Sequence, residues 1–305
     1  MSTSIERVTV QEQFVEEERG ISSGRLAAYL ELTKPRITFL VVLTAVAGYC
    51  IGQSSRVDYV GLINLVIGVT LLSAGASVLN QYLERGLDGL MLRTKDRPLP
   101  ANRLAAREAL VLGLALSMVA SAYMALLINP LTAALGIATI VSYLFIYTPL
   151  KTRTSLSTAL GALPGAAPPL IGWTAARGSV TVEAWVLFAI LFLWQFPHFL
   201  AIAWMYREDY ARAGIKMLPV VDPEGRVTGQ QIVSYTLMLI PVSLMPPMLG
   251  IGGTVYTAGA ILLGLGFLWF GVRAAKLKTK WQARRLLLAS VLYLPAVFGL
   301  MVLNR

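Results

Sequence analysis

The sequence predicts an all-α, polytopic membrane protein of nine spans. Three observations predict it: an excess of apolar residues with a deficit of charge, apolar runs of bilayer length repeated along the chain, and cations gathered on one side of those runs. Of the 305 residues, 56% are hydrophobic and only 14% charged, against roughly a quarter charged in soluble domains. A compact water-soluble chain of this size exposes too much surface to hide that much hydrocarbon. The composition therefore excludes a water-soluble enzyme. The net charge of +10 has to be read by its placement across a membrane before it is read as a footprint of nucleic acid. The single cysteine, Cys50, lies in an apolar run, so an intramolecular disulfide and a cysteine metal cluster are both excluded.

Residues 1–28 are polar, with Glu12, Glu16, Glu17 and Glu18 close together. Such acidity fits neither a secretory signal nor a mitochondrial transit segment. A disordered or surface-lying tail is expected there, with a short interfacial helix over 26–32, and residues 29–305 read as one membrane domain. A hydrocarbon core ~30 Å thick needs about 20 helical residues. Runs near 37–53, 59–79, 107–127, 130–147, 156–175, 182–205, 231–250, 254–272 and 286–303 meet that demand. The fifth is interrupted by Pro164, Pro168 and Pro169 with Gly161 and Gly165. Broken backbone at membrane depth is tolerated where it borders protein or a polar cavity, so this helix is expected beside the cavity.

Nine alternating spans place 23 of the 26 lysines and arginines on the N-terminal side, leaving only Arg56, Arg177 and Arg305 opposite. The positive-inside rule then puts the N-terminus in the cytoplasm and the C-terminus outside. Both long loops, roughly 80–106 and 206–230, fall on the cytoplasmic side.

Those loops carry the chemistry. The first reads NQYLERGLDGLMLRTKDRPLP over 80–100. Asn80, Glu84 and Asp88 are four apart, so on a helix they project from one face. Two carboxylates and an amide on one stripe repel unless a cation lies between them, and their oxygens suit a hard ion such as Mg²⁺ that also binds substrate phosphates. Arg93, Lys95 and Arg97 follow at once as phosphate-binding cations. The second loop, MYREDYARAGIKMLPVV over 205–221, again mixes acids and cations in Arg207, Glu208, Asp209 and Arg212. Lys151 and Arg153, with Tyr147 and Thr148, form a third basic point. A lipid diphosphate at the membrane surface would meet all of these. His198, in WQFPHFLAIAW, is the only histidine. Ionisable groups in spans usually face functional cavities, and it would bind a macrocycle's iron, hold a substrate group or act as a base.

These segments, together with AYLELTKPRITFLVVLTAVAGY (28–49), YTPLKTRTSL (147–156) and GALPGAAPPLIGWTA (161–175), resemble the protohaem IX farnesyltransferase (haem O synthase) family of the UbiA prenyltransferase superfamily. The resemblance runs from about 28 to 221; beyond that it is mainly one of hydropathy and helix number. It implies nine helices around a central cavity open to the cytoplasmic side of the bacterial inner membrane. The implied reaction moves a farnesyl group from farnesyl diphosphate to a vinyl group of haem B, giving haem O and diphosphate. Mg²⁺ would be held by Asn80, Glu84, Asp88 and Asp209. Arg93, Lys95, Arg97, Lys151, Arg153 and Arg207 would hold the diphosphate, and His198 would meet haem. Membrane lipid and a haem A synthase or haem–copper oxidase assembly are implied as partners, and nucleic acid is not. Two departures from the superfamily pattern stand out: Glu84 replaces a common Asp, and Ala213 follows Asp209 by four where another acid is usual. Whether the second loop gives one metal ligand or two stays open. A quinone-precursor or chlorophyllide acceptor, or a transporter of an anionic lipid, are the competing classes.

Overall fold

The computed structural model describes residues 24–53 and 56–304. The tail expected over 1–23 lies outside the described residues. Helix α1 (24–32) buries Ala28 and Leu32 and turns Leu26 and Leu30 outward, as an interfacial helix does. α2 (Pro35–Gly52) opens on a proline, whose missing N–H is no loss in a first turn.

Long helices follow: α3 (Tyr59–Leu90), α4 (Ala106–Leu127), α5 (Pro130–Val141), α7 (Ser157–Arg177), α8 (Val182–Met205), α11 (Arg226–Ser243), α13 (Thr254–Leu277) and α14 (Lys280–Leu303). Short pieces link them: a π-helical stretch Ser142–Tyr147, α6 (Thr148–Leu150), α9 (Arg207–Arg212), α10 (Leu218–Val221) and α12 (Met245–Met248). There is no strand among the described residues.

Among the described residues, eight stretches are long and apolar enough to cross a membrane, with Pro130–Leu150 counted as one. The expected fifth span, α7, is a 21-residue helix outside that group. Its composition has a physical reason. Fourteen of its residues are buried, among them Pro164, Pro168 and Pro169, so most of its surroundings are protein and few of its side chains need to face hydrocarbon. Glycines let it lie against α2. A Cβ on Gly48 would stand 2.1 Å from the Pro169 carbonyl oxygen, and one on Gly172 1.9 Å from that of Ala45.

α7 joins two halves. On one side α2, α3, α4 and α5 pack around a core including Leu65, Val69, Leu72 and Met124. On the other, α8, α11, α13 and α14 pack around Leu187, Ile190, Leu200 and Phe267. α14 also touches α2, which closes the ring. The polar ends of α3, α6 and α8 meet at one end of this bundle.

Candidate functional site

α3 does not stop near 79 but runs on as helix to Leu90. The continued helix fixes the four-residue spacing of Asn80, Glu84 and Asp88. All three side chains turn inward, at 2%, 8% and 1% exposure. Buried carboxylates require partners, and each has a cation. Arg97 Nη1 lies 2.8 Å from both Asp88 carboxylate oxygens. Lys151 Nζ is 2.5 Å from Glu84 Oε1. The Asn80 amide accepts from Lys34 Nζ at 3.2 Å and donates to Thr148 Oγ1 at 3.3 Å.

The π-helical stretch before α6 helps deliver these partners. It stacks Tyr143 on Tyr147 (ring centroids 5.6 Å apart) and sets Lys151 over the Tyr147 ring at 4.5 Å. Gly161 leaves the room, since a Cβ there would stand 2.5 Å from the Tyr147 ring. π-helical turns recur at functional sites because they re-aim the side chains that follow.

The second loop reaches across to the first. The Asp209 carboxylate accepts the backbone N–H groups of Leu92 and Arg93, each at 3.3 Å, and pairs with Arg212. Below it Met91, Ala203, Ala213, Ile215 and Met217 form an apolar cluster. The Lys216 N–H donates to the Lys151 carbonyl at 2.8 Å. Three chain segments are thus tied into one polar face.

Not every expected residue joins it. Arg93 is exposed and lies over the rings of Tyr206 and Tyr210, at 5.2 and 6.0 Å. Lys95 and Arg153 are exposed and make no ion pair among the described residues. Arg207 turns aside to the Trp204 ring at 4.9 Å and the Pro223 carbonyl at 3.5 Å. Glu208 is exposed and pairs with Lys280 at 3.1 Å. His198 faces α14: its Nδ1 is 2.7 Å from Ser290 Oγ, and its ring stacks on Trp194 with centroids 4.6 Å apart. It lies roughly 10 Å along α8 from that helix's polar end, at ~1.5 Å per residue.

Lys34 is the residue that motif reading did not place here. It precedes Pro35 in a left-handed conformation, φ 47°, which is strained for a side-chain-bearing residue. Its site partner is Asn80. Desolvation, with Arg97 nearby, pulls the Lys34 ammonium down to about 7. Lys151 goes the other way: burial opposes its charge, but Tyr147 and Glu84 raise it above the ordinary lysine range. The signal for Lys34 is a cation directly before a proline, in Lys34-Pro35-Arg36, at the start of the first span.

No cluster of three or more histidine, cysteine or acidic side chains forms a ready metal cage among the described residues. The donor set still fits Mg²⁺, which is commonly held by one or two carboxylates and completed by substrate phosphates and water. Hard oxygens line one buried face, and the cations that now neutralise them are those a diphosphate would recruit.

Comparison with known proteins identifies the family and the fold. The model of the UbiA prenyltransferase family matches residues 41–294. A protein of Solibacter usitatus named protoheme IX farnesyltransferase is 54% identical over 286 residues, covering 91% of this chain and 98% of the relative. One of the same name from Koribacter versatilis is 44% identical, covering 92% and 94%. Among solved structures, a digeranylgeranylglyceryl phosphate synthase superposes with a TM-score of 0.77 at 17% identity, over 92% of this chain and 98% of that one. A UbiA homolog from Archaeoglobus fulgidus bound to GPP and Mg²⁺ gives 0.57 at 16%, over 90% and 99%. The structural likenesses speak for the fold, and the sequence matches go further: this chain belongs to the UbiA prenyltransferase family and is a prenyltransferase.

Proposed function

We propose that this enzyme transfers the farnesyl group of farnesyl diphosphate to a vinyl group of haem B, giving haem O and diphosphate. The observation that carries the reading is the buried Asn80–Glu84–Asp88 face with Lys34, Arg97 and Lys151 upon it. It occurs in a chain that matches protohaem farnesyltransferases over nine-tenths of its length.

The reaction needs the allylic C–O bond to break with its electron pair leaving on the diphosphate. Lys34, Arg97 and Lys151 are already aimed at this face. When the diphosphate enters, Arg97 and Lys151 trade their carboxylate partners, and Lys34 its Asn80 amide, for phosphate oxygens, and preorganised donors of that kind stabilise the charge that develops on departure. Asn80, Glu84 and Asp88, with Asp209 from the second loop, would hold Mg²⁺, which would supply further neutralisation of the leaving group. Tyr143 and Tyr147 wall the site beside Lys151 and keep water from the cation. Farnesyl C1 then bonds to the terminal vinyl carbon. The adjoining carbon takes hydroxide from water, and a proton is released.

His198 is assigned to the haem. Ser290 Oγ donates to the Leu287 carbonyl at 2.6 Å, so its proton is committed. His198 Nδ1–H therefore donates to Ser290 Oγ, which leaves Nε2 with a lone pair to ligate iron or position the ring. We further propose nine spans, with α7 as the fifth, in the inner membrane of a bacterium. The cation bias supports a cytoplasmic N-terminus and a site on that side. Haem O would pass from there to a haem A synthase or an oxidase assembly.

The test is turnover by purified protein given haem B, farnesyl diphosphate and Mg²⁺, with the haem products resolved by mass. A haem heavier by one farnesyl group and one hydroxyl is expected. Release of diphosphate only with a quinone precursor or chlorophyllide as acceptor would overturn the haem assignment.

A further inference from the structure

The junction of α13 and α14 carries cations that the prenyl-transfer site does not use. Arg273, Lys276, Lys278, Lys280, Arg284 and Arg285 fall within thirteen residues. Of these only Lys280 has a carboxylate partner, Glu208, among the described residues. Two of the cations converge. Arg273 lies over the Trp269 ring at 4.9 Å, and Arg285, from the next helix, lies over the same ring at 5.9 Å and over Phe270 at 5.4 Å. Two guanidiniums brought to one indole, with no carboxylate paired to either among the described residues, repel each other, and an anion between them would relieve that repulsion.

The surface around this pair is graded along the membrane normal. On α13, Leu262, Leu265 and Trp269 are exposed and lie on one stripe that continues into Arg273 and Lys276, by the three-and-four spacing of a helix face. On α14 the stripe runs from exposed Trp281 through Arg285 to exposed Leu288 and Leu292. α13 thus runs from leucine through tryptophan to arginine towards the junction, the order of hydrocarbon, interfacial belt and phosphate, while on α14 Arg285 stands between Trp281 at the junction and the leucines, which brings it to the Trp269 ring. A water-facing charge run would lack the leucines, and a plain lipid-facing helix would lack two unpaired guanidiniums. This end is also the end of the prenyl-transfer site, since Trp204 Nε1 at the foot of α8 donates to the Lys278 carbonyl at 3.1 Å.

We infer that the α13–α14 groove is a binding site for an acidic phospholipid, whose phosphodiester is clamped by Arg273 and Arg285 beside Trp269 and whose acyl chains lie along the leucine stripes. The ligand is a resident lipid rather than a substrate. Its effect is on the hold between α13 and α14, the two helices that close the second half of the ring.

The experiment compares wild type with the R273Q/R285Q double variant, both purified in a mild detergent. Thermal midpoints are read after addition of phosphatidylglycerol, phosphatidylcholine or inorganic phosphate, and retained lipid is read by native mass spectrometry. Wild type is expected to prefer phosphatidylglycerol over phosphatidylcholine, and the double variant to lose roughly ten- to thirtyfold of that preference, as two interfacial cations imply. Arg284→Gln, on the exposed flank, should keep it. Equal stabilisation by both lipids, an undiminished preference in the double variant, or full stabilisation by inorganic phosphate alone would each overturn the site. If the double variant fails to fold, R273K/R285K, which keeps the charges but removes the planar forks, must show a reduced preference for the site to stand.

Discussion

The foot of α3 and the foot of α8 hold corresponding places in the two halves of the bundle, yet they do different work. α3 continues as unbroken helix to Leu90, so its three oxygen-bearing side chains keep one face and all are buried. α8 ends at Met205, and the chain restarts as the short α9. There only Asp209 is buried, while Glu208 turns outward. Asp209 spends two acceptor positions on the backbone of the first loop. Its observed place is that of a clasp, beside the ligand role proposed for it. A pair of acidic loops can thus look matched in sequence while one is built to hold charge and the other to hold the first in place.

The sharpest break in that comparison should come at Asp88. Asp88→Asn keeps the shape and removes the charge that Arg97 and a metal would share. A fall in turnover of about 10²–10³-fold is expected, the usual range for losing one preorganised electrostatic contact. The helical circular dichroism and gel-filtration profile should be unchanged. Near-normal turnover would remove Asp88 from the site.

Ala213 asks why the second loop lacks its expected second acid. It is 4% exposed and packs in the cluster of Met91, Ile215 and Met217 that joins the loops. A carboxylate there would be buried without a partner. Ala213→Asp is therefore expected to destabilise the protein by on the order of 3 kcal/mol, read as a lower thermal midpoint in detergent, with no gain in Mg²⁺ affinity. A tighter metal site at unchanged stability would show instead that the position was open to a ligand.

How much of this was legible beforehand follows the same division. Periodicity and charge placement gave the helices, because lipid leaves few alternatives for a buried backbone. They missed the π-helical stretch over Ser142–Tyr147, since hydropathy does not report a one-residue change in hydrogen-bond register. The stripe of Asn80, Glu84 and Asp88 was readable because helical spacing alone brings those residues together. Lys34 was not, because its meeting with Asn80 is a long-range contact made by packing α2 on α3 and α7. The same blindness put Arg207 with the diphosphate-binding cations, although the structure turns it to Trp204 and Pro223.

A smaller effect separates clasp from ligand at Asp209. Asp209→Asn keeps one carbonyl acceptor for the Leu92 and Arg93 N–H groups but loses the charge. About a tenfold drop in turnover is expected, with Asp209→Ala costing more because it also frees those N–H groups. A thermal midpoint lowered in Asp209→Ala but not in Asp209→Asn would confirm the clasp. Equal loss of Mg²⁺ affinity in both, with neither midpoint moved, would make Asp209 a ligand only.

Glu208 should matter least, although it adjoins Asp209 and shares its charge. One residue along a helix turns a side chain by about 100°, and Glu208 accordingly points out to Lys280, both partners being more than half exposed. Exposed pairs of this kind contribute about 0–1 kcal/mol. Glu208→Gln is therefore expected to change turnover by less than about twofold at any Mg²⁺ concentration, and any stability change should vanish at high salt. A large, Mg²⁺-dependent loss would mean that α9 rotates when substrate binds, bringing Glu208 inward to stand as the second acid that Ala213 does not provide.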